Sequence, residues 1–307
     1  MTYFIHIFLN NIVPLAVMIL IGAAMFRAFR LDIKTLSKLN FYVFAPALVF
    51  VKLSESELSV AILGQVLLFF LLFFTAISVM TELFVRIRRY KGGMKGAMRN
   101  SIIFYNSANY AIPLNQMVFV GDAFTLSVQM IVMMMQNLLP NTLGVYNVNA
   151  HKSSWKDMLK TVAYLPTIYM IPLAFVLRHY QIAVPQPLNI PLHYIADGFM
   201  ATALLTLGVQ LGSMKWTFRF SDVLWSNFLR LCMGPLIGLG VVCLLGLHGV
   251  MAQALVLSCA VPTSLSSVLL AVEYDNEPEF SSQAVFMSTV LSMFTVTLVI
   301  YLLPYIG

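Results

Sequence analysis

Two short runs in this 307-residue chain gather the polar side chains that could do chemistry in an otherwise apolar background. The first reads Asn106-Ser107-Ala108-Asn109-Tyr110-Ala111-Ile112-Pro113-Leu114-Asn115-Gln116, and the second Ser258-Cys259-Ala260-Val261-Pro262-Thr263-Ser264-Leu265-Ser266-Ser267. Each contains Ala, a β-branched residue and then Pro. Proline removes a backbone donor and clashes with the preceding turn, so a helix is expected to unwind at each site, leaving carbonyls and amides without intrahelical partners. A half-helix restarting after each proline would present free N–H groups and a positive dipole end, which suits a carboxylate. The chemistry on offer is recognition of an anion rather than bond cleavage. No nucleophile is paired with a base, there is no H-E-x-x-H, and no Cys or His stands at metal-ligand spacing. No metal or cofactor is expected.

The elements that must carry these runs are membrane spans. The chain is 60% hydrophobic and 10% charged, against about 25% charged in soluble domains, which excludes a soluble fold and leaves no room for a soluble catalytic domain. In such a chain the net charge of +6 reports orientation rather than a nucleic-acid partner. Apolar stretches are expected to span near 3–26, 36–52, 58–86, 96–119 and 123–147, and again near 158–178, 189–213, 221–246, 249–273 and 279–303. A polar connector, 149–157, divides them into an N-terminal half (1–148) and a C-terminal half (158–307). The first stretch precedes its basic residues, the reverse of a signal peptide, and is expected to be retained. With the N-terminus outside, the inside loops hold Arg27, Arg30, Lys34, Lys38, Arg86, Arg88, Arg89, Lys91, Lys95, Arg99, Lys152, Lys156, Lys160, Lys215 and Arg219, fifteen of the 18 Lys and Arg. Both termini are therefore expected outside. Glu273, Asp275, Glu277 and Glu279 fall on the inner side, but acidic residues contribute little to topology.

Five spans per half make the second half enter the membrane with the opposite orientation. The expected fold is an all-α membrane protein of ten transmembrane helices, built as two inverted five-helix repeats with broken fourth and ninth helices. Carriers built this way bind substrate near the bilayer midplane, between discontinuous helices at corresponding positions. The two proline runs occupy such positions.

Other intramembrane polar groups are candidates because they are expensive there. Asp197, in the seventh span, fits either a proton site or a hydrogen-bond acceptor near the outer surface. Arg230, in the eighth, fits three roles: holding a substrate carboxylate, pairing with an acid, or anchoring the inner end of its helix. Glu82 and Glu273 lie near inner helix ends, within reach of the interface. Gln129, Gln136, Asn137, Asn141 and Asn147 on the fifth span fit an aqueous path beside the break or interhelical hydrogen bonds. Cys232, Cys243 and Cys259 form no C-x-x-C pair and are expected to pack as small apolar residues. The nineteen methionines are read as adaptable packing, and the five histidines as scattered.

The run from Asn106 to Leu114 resembles the fourth-helix motif of the auxin efflux carrier family, whose bacterial members typically show N-S-G-N-Y-G-x-P-L. Gln136-Asn137 with Thr142-Leu143-Gly144-Val145-Tyr146 is similar to the family's fifth helix, and Leu207 to Leu211 to its seventh. Pro262 to Tyr274, Pro278-Glu279 and Ser288-Thr289 resemble its ninth and tenth. Ala108 and Ala111 depart from the motif's glycines. The resemblance implies a scaffold of helices 1, 2, 6 and 7, and a mobile transport domain of helices 3–5 and 8–10. It also implies crossing fourth and ninth helices, a homodimer, and a bacterial cytoplasmic membrane. Carried over by residue, it nominates Asn106, Asn109 and Pro113 with Pro262, Thr263 and Ser266 as substrate-binding residues, for malate or a related organic acid. No charged pair resembling the proton-linked pair of the plant carriers is found. The leading expectation is a secondary carrier of a small organic anion. Its rivals are a sodium-coupled symporter, a non-transporting sensor on the same fold and, most distantly, an intramembrane enzyme.

Overall fold

A computed structural model describes residues 2–56, 58–148, 164–214 and 220–306, which fold almost wholly into helix. Seven helices among them are long and apolar enough to cross a membrane: α1 (Phe4–Phe29), α2 (Ile33–Glu55), α3 (Val60–Ile87), α6 (Ala123–Asn147), α8 (Gln186–Ser213), α9 (Ser221–Leu245) and α12 (Pro278–Tyr305). Two further stretches are each split into a pair. The first comprises α4 (Gly92–Ile103) and α5 (Ala111–Val118), the second α10 (Gly249–Cys259) and α11 (Ser266–Glu273). The remaining helix, α7, spans Pro166–His179. The expected connector 149–157, the start of the sixth span at 158–163, and Lys215 and Arg219 lie outside the described residues.

Prolines shape the helices in two ways. Pro14, Pro46 and Pro235 each follow a π-helical turn, at Phe8–Ile12, Asn40–Phe44 and Leu229–Met233, by two residues. The carbonyl that each proline cannot pair lies four residues back, inside that turn, and the wider ring absorbs it without ending the helix. The two split stretches behave differently. The first unwinds over 104–110 and α5 begins at Ala111, two residues before Pro113. The expectation that this half-helix starts after its proline is therefore corrected. Pro113 sits in the first turn of α5, where a missing N–H breaks no hydrogen bond. The second follows the expected order, with Pro262 in the gap and α11 starting at Ser266.

Packing follows side-chain size. α1 and α8 cross at backbone contact through Gly22, Gly208 and Gly212, the last two spaced as a small-xxx-small pair. A Cβ on Gly208 would sit 2.0 Å from the Ile19 carbonyl oxygen, and one on Gly22 2.2 Å from that of Leu205. Asn40 of α2 adds a buried bond to Thr206 of α8, Nδ2 to Oγ1 at 2.9 Å.

We call the face bearing the α1–α2, α3–α4 and α11–α12 loops the basic face, after Arg30, Arg88, Arg89 and Lys91. Near the other face, Leu48 and Phe50 of α2, Ile112 of α5, Leu126 and Met130 of α6 and Phe199 of α8 form one buried apolar cluster. Towards the basic face a cavity of about 570 Å³ is lined by residues including Gln210 and Ser213 of α8, Val268 of α11, Ser282 of α12, and Leu265.

Candidate functional site

The two unwound segments meet. Tyr105 and Thr263 form an isolated antiparallel bridge, the Asn106 N–H donates to the Pro262 carbonyl at 2.8 Å, and the Ser264 N–H donates to that of Phe104 at 2.9 Å. Four helix ends thus converge: the C-terminal ends of α4 and α10 and the N-terminal ends of α5 and α11. Backbone stripped of helical bonds inside a membrane must find partners in protein or water, and at the end of α4 each carbonyl has one. Asn100 O accepts from the Ser267 hydroxyl at 3.1 Å and Ser101 O from the Thr263 hydroxyl at 2.8 Å. Ile102 O accepts from Arg230 Nη1 at 3.1 Å and Ile103 O from Gln136 Nε2 at 3.4 Å. One residue of α9, one of α6 and two of the opposite break therefore complete a single helix end.

The sequence-predicted residues sort by what they touch. Asn106 is buried, and its Oδ1 accepts the Asn109 N–H at 3.1 Å, turning the chain into α5. The Asn109 carboxamide has no hydrogen-bond partner among the described residues, yet it is only 9% exposed. Neither of its amide atoms is fully enclosed, unlike the buried, unpartnered Tyr105 hydroxyl and Ser258 Oγ nearby, so the carboxamide is both unpartnered and reachable by a ligand. Thr263 is fully buried and structural: its hydroxyl goes to Ser101 O, and its N–H donates to Ser288 Oγ at 3.1 Å. Ser266 is half-buried at the start of α11, where its N–H donates to Ser264 Oγ at 3.2 Å. Pro113 and Pro262 are buried and contribute shape rather than donors.

Asp197 is not drawn into this cluster. It is exposed on α8, with no ion pair or hydrogen bond among the described residues. Arg230 is drawn in completely, at 0% exposure. Glu82 does not simply reach for the interface, because it accepts from Arg86 Nε at 2.8 Å and Arg99 Nε at 3.0 Å, tying α3 to α4. Of the fifth-span amides, Gln129 donates to Ser107 O at 3.1 Å and Gln136 to Ile103 O, while Asn147 bonds Asn100 Oδ1 at 2.8 Å. These act as interhelical bonds, and two of them hold the first break open.

Some contributors escape sequence reasoning. Ser101, Tyr105 and Ser226 carry no motif of their own, and Ser101 Oγ lies 2.8 Å from Ser226 Oγ. Ser292 Oγ donates to the buried Tyr110 hydroxyl at 3.0 Å. Their only mark in the sequence is polarity where hydrocarbon would do. Among the described residues no group of three His, Cys, Asp or Glu could hold a metal, and the three cysteines are unpaired.

Comparison with known proteins adds two findings. Residues 151–300 match the family model described as a membrane transport protein. A protein of Methanothermobacter thermautotrophicus described as an uncharacterized transporter is 21% identical over 268 residues, which cover 87% of this chain and 88% of the relative.

Proposed function

Residues 151–300 match a membrane transport protein model and a described transporter aligns with most of this multi-pass membrane chain; we propose that it is a transporter of the auxin efflux carrier family and that it carries a small organic anion, malate or a related carboxylate, through the crossing of its two interrupted helices. The observation that carries the reading is the unpartnered Asn109 carboxamide just before the N-terminal end of α5, where the two unwound segments meet. Amide donors and positive helix ends complement a carboxylate, and in hydrocarbon little else competes for it. Asn106, Asn109 and Ser266 supply polar contacts in this reading. Pro113, Pro262 and Thr263 hold the two segments in shape.

The ten-helix reading takes α4 with α5 as the fourth span and α10 with α11 as the ninth, in two inverted repeats. The antiparallel meeting of the breaks supports that symmetry. In this arrangement α1, α2, α7 and α8 form the scaffold, and the rest form a transport domain that slides or rocks against it. The cavity on the basic face and the apolar cluster on the other are then the open and closed ends of one alternating-access state. The positive-inside rule assigns the basic face to the cytoplasm of a bacterial cell and both termini to the outside. A second copy is expected to pair through the scaffold. Asp197 lies on an exposed α8 face with Ile190, Tyr194 and Ala201, and a carboxylate facing lipid is costly.

The test is uptake of labelled malate and a panel of mono- and dicarboxylates into proteoliposomes, with Asn109→Ala as control. Saturable flux that the substitution abolishes supports the reading. Specific binding without flux would instead favour a sensor on this fold.

A further inference from the structure

Arg230 is a full charge buried in the middle of a membrane protein, with no carboxylate among the described residues within salt-bridge distance. Lone intramembrane cations are rare and pair with acids or backbone carbonyls. This one uses carbonyls, and the choice of carbonyls is specific. Nη1 donates to Ile102 O and Nη2 to Cys259 O. Ile102 lies in the last turn of α4 and Cys259 is the last residue of α10. One guanidinium therefore closes the C-terminal ends of both half-helices that lead into the crossing.

The surroundings are shaped to admit it. The guanidinium carbon lies 4.8 Å from the Tyr105 ring centroid and 5.9 Å from that of Phe73. A Cβ on Gly234 would come within 2.5 Å of Nη2 and 2.9 Å of Cys259 O. Only a residue without a side chain leaves this cradle open. The π-helical turn Leu229–Met233 sets Arg230 one helical turn before Gly234.

The charges balance simply. Each helix C-terminus carries about half a negative charge and each N-terminus about half a positive one. Without Arg230 the four converging ends cancel. With it the crossing holds about one excess positive charge, which an anionic substrate would neutralise.

Resting on the organic-anion reading above, we propose that Arg230 is a positioning residue acting as a resident cation: it binds the α4 and α10 ends together and supplies the positive charge that the substrate balances, so that no sodium ion need accompany the anion. Arg230 does not touch the substrate in this scheme. It acts through the ends it holds and through its field.

The experiment compares wild type, Arg230→Lys, Arg230→Gln and Gly234→Ala in proteoliposomes, each checked for a monodisperse folded state. Carboxylate flux is measured with sodium present and with sodium replaced by choline. Wild-type flux should be the same in both media. Arg230→Gln should raise KM about tenfold, the ratio that 1.4 kcal/mol produces, and should regain part of the loss when sodium or guanidinium ion is supplied. Arg230→Lys, which keeps the charge but not the fork, should lie between. Gly234→Ala, which crowds the guanidinium, should shift KM in the direction of Arg230→Gln. Sodium-dependent wild-type flux would overturn the proposal, and that measurement needs no variant to fold. Equal KM in wild type and Arg230→Gln would overturn it as well. Absence of carboxylate flux in folded wild type, by contrast, would overturn the organic-anion reading on which it rests.

Discussion

At the scale of single residues, polar groups near the crossing divide into those already satisfied and those still available. Asn106 belongs to both sets, since its Oδ1 accepts the Asn109 N–H and only its Nδ2 is left to meet a substrate. Replacing it with Ala should cost about 1 kcal/mol and lower the thermal midpoint of the purified protein. Asn109→Ala removes no intramolecular side-chain bond. That variant should unfold at the wild-type midpoint while losing carboxylate flux, and a lowered midpoint would reassign Asn109 to the structural set. At the membrane edge, Asp32 caps α2 by accepting from Thr35 Oγ1 at 2.5 Å and from the Lys34 and Thr35 N–H groups. Above all the Thr35 hydroxyl, then the Thr35 N–H, hold its carboxyl below the ordinary value of 3.8. A carboxyl depressed in the folded state stabilises it above that ordinary value, and the contribution disappears as pH falls through the lower folded one. The protection of the Lys34 and Thr35 amides, measured against their intrinsic exchange rates, should therefore fall only under acid conditions, and Asp32→Ala should show the reduced protection at neutral pH.

At the scale of elements, the α1–α8 crossing and the split stretches follow opposite rules. The crossing depends on absent side chains. Gly208→Leu would drive a side chain into the Ile19 carbonyl and should cost about 1–3 kcal/mol. Gly64 of α3, where a Cβ would meet nothing within 4 Å, is the control. Gly64→Ala should leave the protein unchanged or up to about 1 kcal/mol more stable, since glycine weakens a helix interior. The split stretches depend instead on polar groups supplied from outside. Helix-breaking character was legible in the sequence at both prolines, but the position of the first break was not. The residues from Phe104 to Tyr110 unwind because the opposite break bonds Phe104 O and the Asn106 N–H, and those partners lie more than 150 positions away in sequence. Local propensity carries no record of a partner so distant.

For the whole molecule, the cavity on the basic face and the apolar cluster on the other predict asymmetric access. A cysteine at Ser282 should react with an impermeant thiol reagent from the basic face, and one at Leu126 should react from neither, when tested in a background lacking the native cysteines. Saturating carboxylate should change the Ser282 rate if the cavity opens and closes with transport. The proposed dimer predicts that Tyr194→Cys forms an intermolecular disulfide in membranes, and failure to cross-link would place that α8 face against lipid.

Composition alone determined that this chain lives in a bilayer, because 60% apolar side chains with few charges cannot fold in water. The distribution of Lys and Arg set the expected orientation, and the paired proline runs located the unusual backbone, since hydrocarbon forbids exposed peptide groups. The roles of individual polar residues needed the tertiary structure. Thr263 and Asn109 look alike as small polar neighbours of a proline, yet one is fully bonded and the other is not. Arg230 admitted three roles in the sequence, and only the arrival of Ile102 and Cys259 at one guanidinium chose another, the joining of two helix ends. A side chain's chemistry is written in its type, but its bonding partners are fixed by the path of the rest of the chain.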